Sequence, residues 1–312
     1  MKLIIQIPCY NEEKTLPITV ADLPRKIDGI EVIEILIIDD GCTDKTVHVA
    51  KNLGVDHIVN FNQNKGLAHA FSAGIDKCLE LGADIIVNTD ADNQYCGSDI
   101  TKLVEPILKR EADVVVGNRQ VESIENFSLF KKKLQKIGSY FVRKLSKTEV
   151  VDAVSGFRAF SKSAALGINI LTDYSYTIEN LIQFGHQKLK IVSVPIRTNE
   201  KLRDSRLLKS IPSFIGSQLA TIVRVYTTYK ALKVFTFIGI FLLMPGLYGF
   251  LRFLYFYFIA GGEGHIQSLI FSTTLIIIGF LVIMIGIISD SISNNRKLIE
   301  KILYRLKSET KG

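Results

Sequence analysis

The sequence predicts an N-terminal α/β domain built on a mostly parallel sheet, followed by a C-terminal pair of membrane-spanning helices. Two observations predict this arrangement. Short β-branched runs alternate with patterned helical stretches as far as about Val194, and two long uncharged apolar runs follow in the last third of the chain. Such alternation is typical of a parallel sheet with helices on both faces.

The first part of the chain supplies the strands and helices in order. Strands are predicted at residues 3–7, 34–38, 85–88 and 114–116, with helices at residues 67–81 and 98–111. A chain of 312 residues has room for one such domain and a further segment. We therefore predict that the α/β domain occupies residues 1–210.

Two apolar runs predict the membrane anchor. Residues 268–288 carry no charge and approach the ~20 residues that a spanning helix needs. Residues 234–251 form a second uncharged run, which ends at Arg252. Soluble helices seldom run this far without a polar face, so two spanning helices within residues 234–290 are favoured over two buried core helices.

Amphipathic stretches flank the two apolar runs. Residues 211–233 place Ile215, Leu219 and Ile222 on one helical face, which suits an interfacial helix or one packed on the α/β domain. Residues 291–312 form a basic amphipathic tail. Both outer flanks are basic, whereas residues 261–266 contain no Lys or Arg. The positive-inside rule then predicts a two-span cell-membrane protein whose α/β domain and tail are cytoplasmic.

The net charge of +7 is unevenly distributed. Residues 130–147 carry seven Lys or Arg and no acid, residues 197–233 carry eight against two acids, and residues 291–312 carry six against two. Basic stretches beside apolar runs suit an anionic membrane surface and phosphorylated ligands. Nucleic-acid binding would explain the charge but not the apolar pair, so we expect a lipid bilayer and no nucleic acid as partner.

Polar residues follow the predicted strands at the edge of the sheet where α/β proteins bind ligands. Residues 8–13 read Pro-Cys-Tyr-Asn-Glu-Glu, residues 39–44 read Asp-Asp-Gly-Cys-Thr-Asp, residues 64–67 read Asn-Lys-Gly-Leu and residues 90–94 read Asp-Ala-Asp-Asn-Gln. Each pattern alone is compatible with an ordinary turn. Four in order, each at a strand end or a helix start, predict a ligand site.

The pair Asp90 and Asp92 points to a metal. Two carboxylates with one residue between them, after a buried strand, suit Mg²⁺ or Mn²⁺, because these ions keep waters and share substrate phosphates. The alternative is a surface Asx-turn or a helix N-cap leading into the next predicted helix.

Together these patterns resemble the family-two glycosyltransferases of the GT-A fold, over residues 1–208. The resemblance implies a nucleotide-sugar site made by Pro8, Tyr10, Glu12, Asp40, Lys65, Gly66, Asp90 and Ala91. It further implies that Asp90, Asp92 and Gln94 bind Mg²⁺ or Mn²⁺, and that Asp92 acts in catalysis.

Two later segments are similar to dolichyl-phosphate mannose synthases and bacterial polyprenyl-phosphate glycosyltransferases. Residues 116–119 read Val-Gly-Asn-Arg, and residues 152–158 read Asp-Ala-Val-Ser-Gly-Phe-Arg. The acceptor of these enzymes is a lipid phosphate, which implies that Arg119 and Arg158 act in catalysis as anion ligands. A structural ion pair is the alternative for either arginine. The implied acceptor-phosphate set is Arg119, Lys132, Lys136, Arg158, Arg203 and Arg206.

Some of these positions depart from the family pattern. Lys132 and Lys136 stand where the family carries an Arg and, four residues later, a Ser. Glu200 and Arg203 stand where its later acceptor loop has an Arg and then a Gly. The basic character of both segments is retained.

The resemblance implies an inverting, metal-dependent transfer of a hexose from a UDP- or GDP-sugar to dolichyl or undecaprenyl phosphate. The alternative is a transferase that elongates a lipid-linked saccharide in cell-surface polysaccharide or glycan assembly. A processive polysaccharide synthase is disfavoured, because a chain without Trp cannot carry the Gln-x-x-Arg-Trp signature. The sugar, the base, the lipid length and the oligomeric state stay open, a homo-oligomer included.

Overall fold

A computed structural model describes residues 1–120, 150–170, 176–200, 211–261 and 266–310, the side chains of residues 211–229, 260, 297 and 310 excepted. They form two compact units, residues 1–222 with 303–312 and residues 223–302. Four residues of the expected acceptor-phosphate set lie outside the described residues, namely Lys132, Lys136, Arg203 and Arg206.

The first unit contains a mixed, mostly parallel sheet. Its seven strands within the described residues are β1 (Lys2–Cys9), β2 (Val32–Asp39), β3 (His57–Asn60), β4 (Ile85–Asn88), β5 (Val114–Asn118), β6 (Arg158–Ser161) and β7 (Ile191–Pro195). Their order is β3-β2-β1-β4-β6-β5-β7. β6 is antiparallel to β4 and β5, and the other neighbours pair in parallel. The predicted fold class is confirmed.

Helices cover the sheet. Those described are α1 (Leu16–Asp22), α2 (Thr46–Asn52), α3 (Leu67–Glu80), α4 (Ile100–Leu108), α5 (Lys162–Leu166) and α6 (Tyr176–Gln187). Alternate residues of β1 face opposite layers: Ile5 belongs to the core that includes α1 and α4, whereas Gln6 lies against Gly74 of α3. The central strand is therefore buried on both faces, which explains why it is mostly apolar and why its polar Gln6 is buried as well.

The second unit lies within two long helices, α7 (Ile211–Ala260) and α8 (Ile266–Thr310). The segments Lys230–Ile259 and Ile266–Glu309 are long and apolar enough to cross a membrane. Phe237, Phe241 and Phe258 are 75%, 72% and 80% exposed, which disfavours the core-helix alternative. The backbone of Lys230 is non-helical (φ −136°), so a kink precedes the first apolar run, near the predicted boundary after residue 233.

Small residues let the two helices of the second unit approach closely. A Cβ atom added to Gly239 would lie 2.8 Å from the carbonyl oxygen of Gly279, and one added to Gly279 would lie 2.9 Å from that of Gly239. Such contacts are typical of helix pairs in membranes, where packing rather than water exclusion holds helices together.

Candidate active site

The sheet topology gathers the strand-end residues at one edge. β1, β2, β4 and β5 run in the same direction, so their carboxyl ends lie together, and the antiparallel β6 begins at that edge. The register places Asn88 of β4 opposite both Gln6 and Arg158, with Val116 of β5 opposite Arg158. The polar segments after β1, β2, β4 and β5 therefore surround one site.

The loops that follow β1 and β2 are locked together. Oδ1 of Asn11 accepts a hydrogen bond from the backbone N–H of Thr43 (2.8 Å), and the N–H of Glu12 donates to the hydroxyl of Thr46 (2.8 Å). Asn11 adopts φ +56°, a conformation that asparagine tolerates better than most residues. The two loops are thereby held as one wall of the site.

Three residues of the first loop were expected to contact the nucleotide, and the structure presents them differently. Tyr10 is 40% exposed and offers its ring to a ligand, whereas Pro8 is buried and Glu12 is only 6% exposed. The carboxylate of Glu12 accepts a hydrogen bond from the hydroxyl of Thr15 (2.6 Å). Of the three side chains, that of Tyr10 is the one open to a bound nucleotide in this conformation.

Asp40 organises the turn before α3. Its two carboxylate oxygens accept hydrogen bonds from the backbone N–H groups of Lys65 (2.7 Å) and Gly66 (3.0 Å), and from Nδ2 of Asn64 (3.0 Å). Burial raises the pKa of Asp40, and the hydrogen bonds from the turn partly oppose that rise. Gly41 is required beside it, because a Cβ there would lie 2.3 Å from the backbone of Gln63. A contact between Asp40 and the nucleotide-sugar stays a prediction.

The turn after β4 carries the predicted metal ligands. Asp90, Asp92 and Gln94 are partly exposed, and Oδ1 of Asp92 accepts a hydrogen bond from the backbone N–H of Gln94 (3.1 Å). Asn93 in the middle has φ +56°. The Asx-turn considered as an alternative is therefore present, yet it uses only one of the two oxygens of Asp92 for this bond. Ala91 is 4% exposed and its carbonyl accepts from the hydroxyl of Thr19 (3.0 Å).

The donor atoms at this turn fit a hard divalent cation. No group of three His, Cys, Asp or Glu residues that could hold a metal occurs in the described ranges. Mg²⁺ sites shared with substrate phosphates need only one or two carboxylates, so Asp90 and Asp92 suffice with the amide oxygen of Gln94. Gly156 packs close beside this turn, because a Cβ added to it would lie 3.2 Å from Oδ1 of Asp90 and 2.9 Å from the hydroxyl of Tyr176. A larger residue at position 156 would crowd the carboxylate of Asp90.

Arg119 lies directly after β5 and is held by an acid. Its Nε and Nη2 donate to the two carboxylate oxygens of Asp152, at 2.7 and 3.0 Å, and its backbone N–H adds a third bond (3.3 Å). The side chains of Arg119 and Asp152 are 13% and 2% exposed. The ion pair considered as an alternative is thus present. It uses one edge of the guanidinium and leaves Nη1 outside this pairing.

Arg158 has a different environment from the one that a phosphate ligand needs. The residue is 0% exposed. Its Nε, Nη1 and Nη2 donate to the backbone carbonyls of Ser155 (2.8 Å), Thr177 (2.9 Å) and Ala153 (2.8 Å). Burial lowers the pKa of Arg158 to about 10, so it stays protonated at neutral pH. This placement does not fit the predicted acceptor-phosphate role, and we assign Arg158 to holding the Ala153–Ser155 loop against α6.

Replacing Arg158 by Ala should destabilise the protein rather than impair only the acceptor step. Three buried carbonyls would lose their donor, and each unsatisfied group costs about 1–3 kcal/mol. We expect a lower denaturation midpoint of the detergent-solubilised protein, with Arg158→Lys intermediate. A variant with wild-type stability that fails only with lipid phosphate would restore the phosphate-binding role.

Two buried tyrosines adjoin the candidate metal ligands, and sequence reasoning missed both. The hydroxyl of Tyr95 accepts a hydrogen bond from the N–H of Gly156 (3.2 Å), and that of Tyr176 accepts from Nδ2 of Asn88 (3.4 Å). Burial, reinforced by the nearby carboxylate of Asp90, raises the pKa of both hydroxyls. They therefore remain neutral beside Asp90. The Ser-Gly-Phe motif at residues 155–157 was the sequence signal that could have pointed to Tyr95, because the ring of Phe157 stacks on the ring of Tyr95 with centroids 4.9 Å apart.

A mixed α/β sheet with carboxylates, an arginine and a Gly-containing turn at the carboxyl ends of its strands has the arrangement in which α/β proteins bind ligands. Residues 4–167 match the family described as glycosyl transferase family 2. This match covers more than half of the chain, and the chain belongs to that family. It is a glycosyltransferase.

Two relatives of the chain are transferases whose names include a polyprenyl phosphate. The chain is similar to the UDP-N-acetylglucosamine–dolichyl-phosphate N-acetylglucosaminyltransferase of Methanococcus voltae, with 36% identity over 220 residues, 62% of this chain and 83% of the relative. It is also similar to the undecaprenyl-phosphate mannosyltransferase of Micrococcus luteus, with 27% identity over 235 residues, 72% of this chain and 93% of the relative.

A solved structure shows the same fold. Glucosyl-3-phosphoglycerate synthase of Mycobacterium tuberculosis, in complex with Mn²⁺, uridine diphosphate and phosphoglyceric acid, superposes with a TM-score of 0.55. It is 18% identical, and the match covers 71% of this chain and 78% of that chain. The GT-A fold that the sequence predicts is confirmed.

Proposed function

We propose that the protein transfers a hexose from a UDP- or GDP-sugar to a polyprenyl phosphate at the cytoplasmic face of the membrane, with inversion at the sugar. The observation that carries the proposal is the edge of the sheet: Asp90 and Asp92 face the same site as Arg119, in a chain with two helices suited to a bilayer. Both relatives named above act on polyprenyl phosphates according to their names, which supports this acceptor class.

The donor would lie across the loops after β1, β2 and β4. Tyr10 offers an exposed ring to the base, and the turn that Asp40 holds supplies Lys65 and Gly66 at the start of α3. Asp90, Asp92 and Gln94 would hold Mg²⁺ or Mn²⁺, which when bound neutralises charge on the departing diphosphate. The crystallised synthase named above carries Mn²⁺ and uridine diphosphate, which supports this kind of donor site.

The acceptor phosphate would meet Arg119. A lipid phosphate is already anionic at neutral pH, so it needs orientation more than deprotonation, and the site needs no strong general base. Asp152 fixes one edge of the Arg119 guanidinium and thereby aims the remaining N–H groups. Attack by the phosphate oxygen on the face opposite the diphosphate would invert the anomeric carbon.

The proposal is tested by offering the purified full-length protein a set of UDP- and GDP-sugars with Mn²⁺ and undecaprenyl or dolichyl phosphate. The expected product is a lipid-phospho-hexose, identified by its mass. A parallel reaction with a lipid diphosphate-linked saccharide separates the two acceptor classes. Transfer to the saccharide without transfer to the free lipid phosphate would contradict the proposal.

The proposed topology makes its own prediction. With basic residues on both outer flanks, the loop at residues 261–266 should face away from the cytoplasm. A Gly262→Cys variant lacking Cys9, Cys42, Cys78 and Cys96 should react with an impermeant thiol reagent in intact cells. Reaction only after lysis would mean that the loop is cytoplasmic or re-entrant.

A further inference from the structure

The segment that follows β7 runs along the candidate metal-binding turn. Thr198 pairs with Tyr95 in an antiparallel bridge, and the carbonyl of Arg197 accepts a hydrogen bond from the N–H of Cys96 (3.3 Å). The backbone N–H of Asn199 donates to the carbonyl of Gln94 (2.9 Å). Residues 197–199 thus form a short ladder with residues 94–96, although about a hundred residues separate them in sequence.

The side chain of Asn199 extends this contact around the turn. Its Nδ2 donates to the carbonyls of Asn93 (3.1 Å) and Tyr95 (3.3 Å). With its backbone N–H, this one residue therefore bonds the carbonyls of residues 93, 94 and 95. An amide nitrogen with two N–H groups can serve two carbonyls at once, which a carboxylate or an aliphatic side chain cannot do.

The other end of the segment is fastened to the 3₁₀ turn at Gly97–Asp99. Arg197 donates to the carboxylate of Asp99 through its backbone N–H (2.7 Å) and through Nη2 (2.9 Å). Asp99 is 1% exposed. Burial alone would raise the pKa of Asp99, but the bonds from Arg197 and Lys102 outweigh it, and the pKa is lowered. A fixed Arg197 places Asn199 two residues further on, beside the turn.

We propose that Asn199 is a positioning residue for the divalent-metal site. It holds the left-handed turn at Asn93 in the conformation that presents the second carboxylate oxygen of Asp92 and the amide oxygen of Gln94 to the cation. Within the turn, the backbone N–H of Gln94 donates a hydrogen bond to the carboxylate of Asp92. That bond does not involve the carbonyls of residues 93–95, which Asn199 bonds. The inference rests on the proposed metal site at Asp90, Asp92 and Gln94.

The experiment measures Mn²⁺ binding directly, without turnover. MnCl₂ is titrated into full-length protein with UDP, and separately with GDP, and free Mn²⁺ is followed by electron paramagnetic resonance. Asn199→Ala should bind Mn²⁺ ~10–100-fold more weakly than wild type, the usual effect of losing a group that orients metal ligands. Asn199→Asp should be equally weak, because it keeps the shape but cannot donate. Asn199→Gln should recover part of the affinity.

Steady-state kinetics supply a second readout. The Mn²⁺ concentration for half-maximal rate should rise by the same factor in Asn199→Ala, while kcat at saturating Mn²⁺ stays near the wild-type value. Asn52, an exposed asparagine at the end of α2, provides the matched control, and Asn52→Ala should change neither quantity.

The outcomes separate the two levels of the proposal. Wild-type Mn²⁺ affinity in folded Asn199→Ala and Asn199→Asp would overturn the role of Asn199 and leave the metal site intact. A wild-type protein that binds no Mn²⁺ with either nucleotide would overturn the metal site, and the role of Asn199 with it. If Asn199→Ala does not fold, equal Mn²⁺ affinity in Asn199→Asp and wild type remains the overturning result.

Discussion

Replacing Asp92 by Asn should lower turnover by ~10³-fold or more and leave the protein folded and membrane-bound, because the loss of one charged ligand weakens stabilisation of the leaving diphosphate. The structure makes this substitution especially informative. The new amide oxygen can still accept the hydrogen bond from Gln94, so the turn should survive while the carboxylate charge is lost. The measurement is the initial rate at saturating donor and acceptor over a range of Mn²⁺ concentrations.

Asp92→Ala removes both the charge and the turn bond. Its extra effect should appear in stability, at about 0.5–2 kcal/mol for a lost cap-like bond, and not in turnover beyond that of Asp92→Asn. The comparison therefore separates the metal-ligand role from the Asx-turn role, both of which the sequence allowed.

Asp84 provides the control for a general loss of carboxylate charge. It precedes β4, the strand that Asp90 and Asp92 follow, and accepts a bond from the backbone N–H of Lys2 (2.8 Å) at the opposite edge of the sheet. Asp84→Asn should retain turnover. Substantial activity in Asp92→Asn, or full wild-type activity in EDTA, would contradict the assignment.

The fold class and the location of the site could be predicted because each depends on local sequence. β1 and β4 are mostly apolar because both faces of these strands are buried, and polar residues follow where each strand ends. Parallel strands then bring their ends together without any knowledge of partners. The turn at Gly66 was found for the same reason, because it directly precedes an amphipathic helix.

The strand β6 could not be predicted in this way. It spans only Arg158–Ser161 and begins with a charged residue that is completely buried. It pairs antiparallel with both β4 and β5, and this pairing depends on the tertiary arrangement of the chain rather than on the local sequence. The predicted helix at residues 98–111 was similarly too long, since the structure has a 3₁₀ turn at Gly97–Asp99 before α4.

Long-range partners explain the remaining differences at the site. The sequence shows that Arg119 and Arg158 both stand in motifs, but it does not show their hydrogen-bond partners. In the described structure, Arg119 donates to the carboxylate of Asp152, whereas the guanidinium of Arg158 donates to backbone carbonyls. Asn199 carries no motif at all. Its bonds to residues 93–95 depend on how the chain returns after β7.

Replacing the guanidinium of Arg119 is the second substitution with a large expected effect. Arg119→Ala should lower turnover with lipid phosphate strongly, by ~10²–10³-fold, and leave nucleotide-sugar binding nearly unchanged, because a guanidinium that grips the acceptor contributes to positioning and charge stabilisation. Arg119→Lys should recover only part of the rate, since a point charge cannot reproduce the planar fork. Rates and donor affinity are measured separately, the latter by calorimetry.

The ion pair complicates this test, and a double variant resolves the difficulty. Arg119→Ala alone would break the ion pair of the Asp152 carboxylate, which is 2% exposed, and breaking a buried pair typically costs about 3–5 kcal/mol. Combining Arg119→Ala with Asp152→Asn removes both charges of the pair and should restore stability without restoring turnover. Asp152→Asn alone keeps the cation but releases its edge, so it should raise the KM for lipid phosphate more than it lowers kcat. Equal losses of donor affinity and lipid-phosphate turnover in the double variant would place Arg119 in the donor diphosphate site, and the acceptor would then have to be bound by residues outside this strand end.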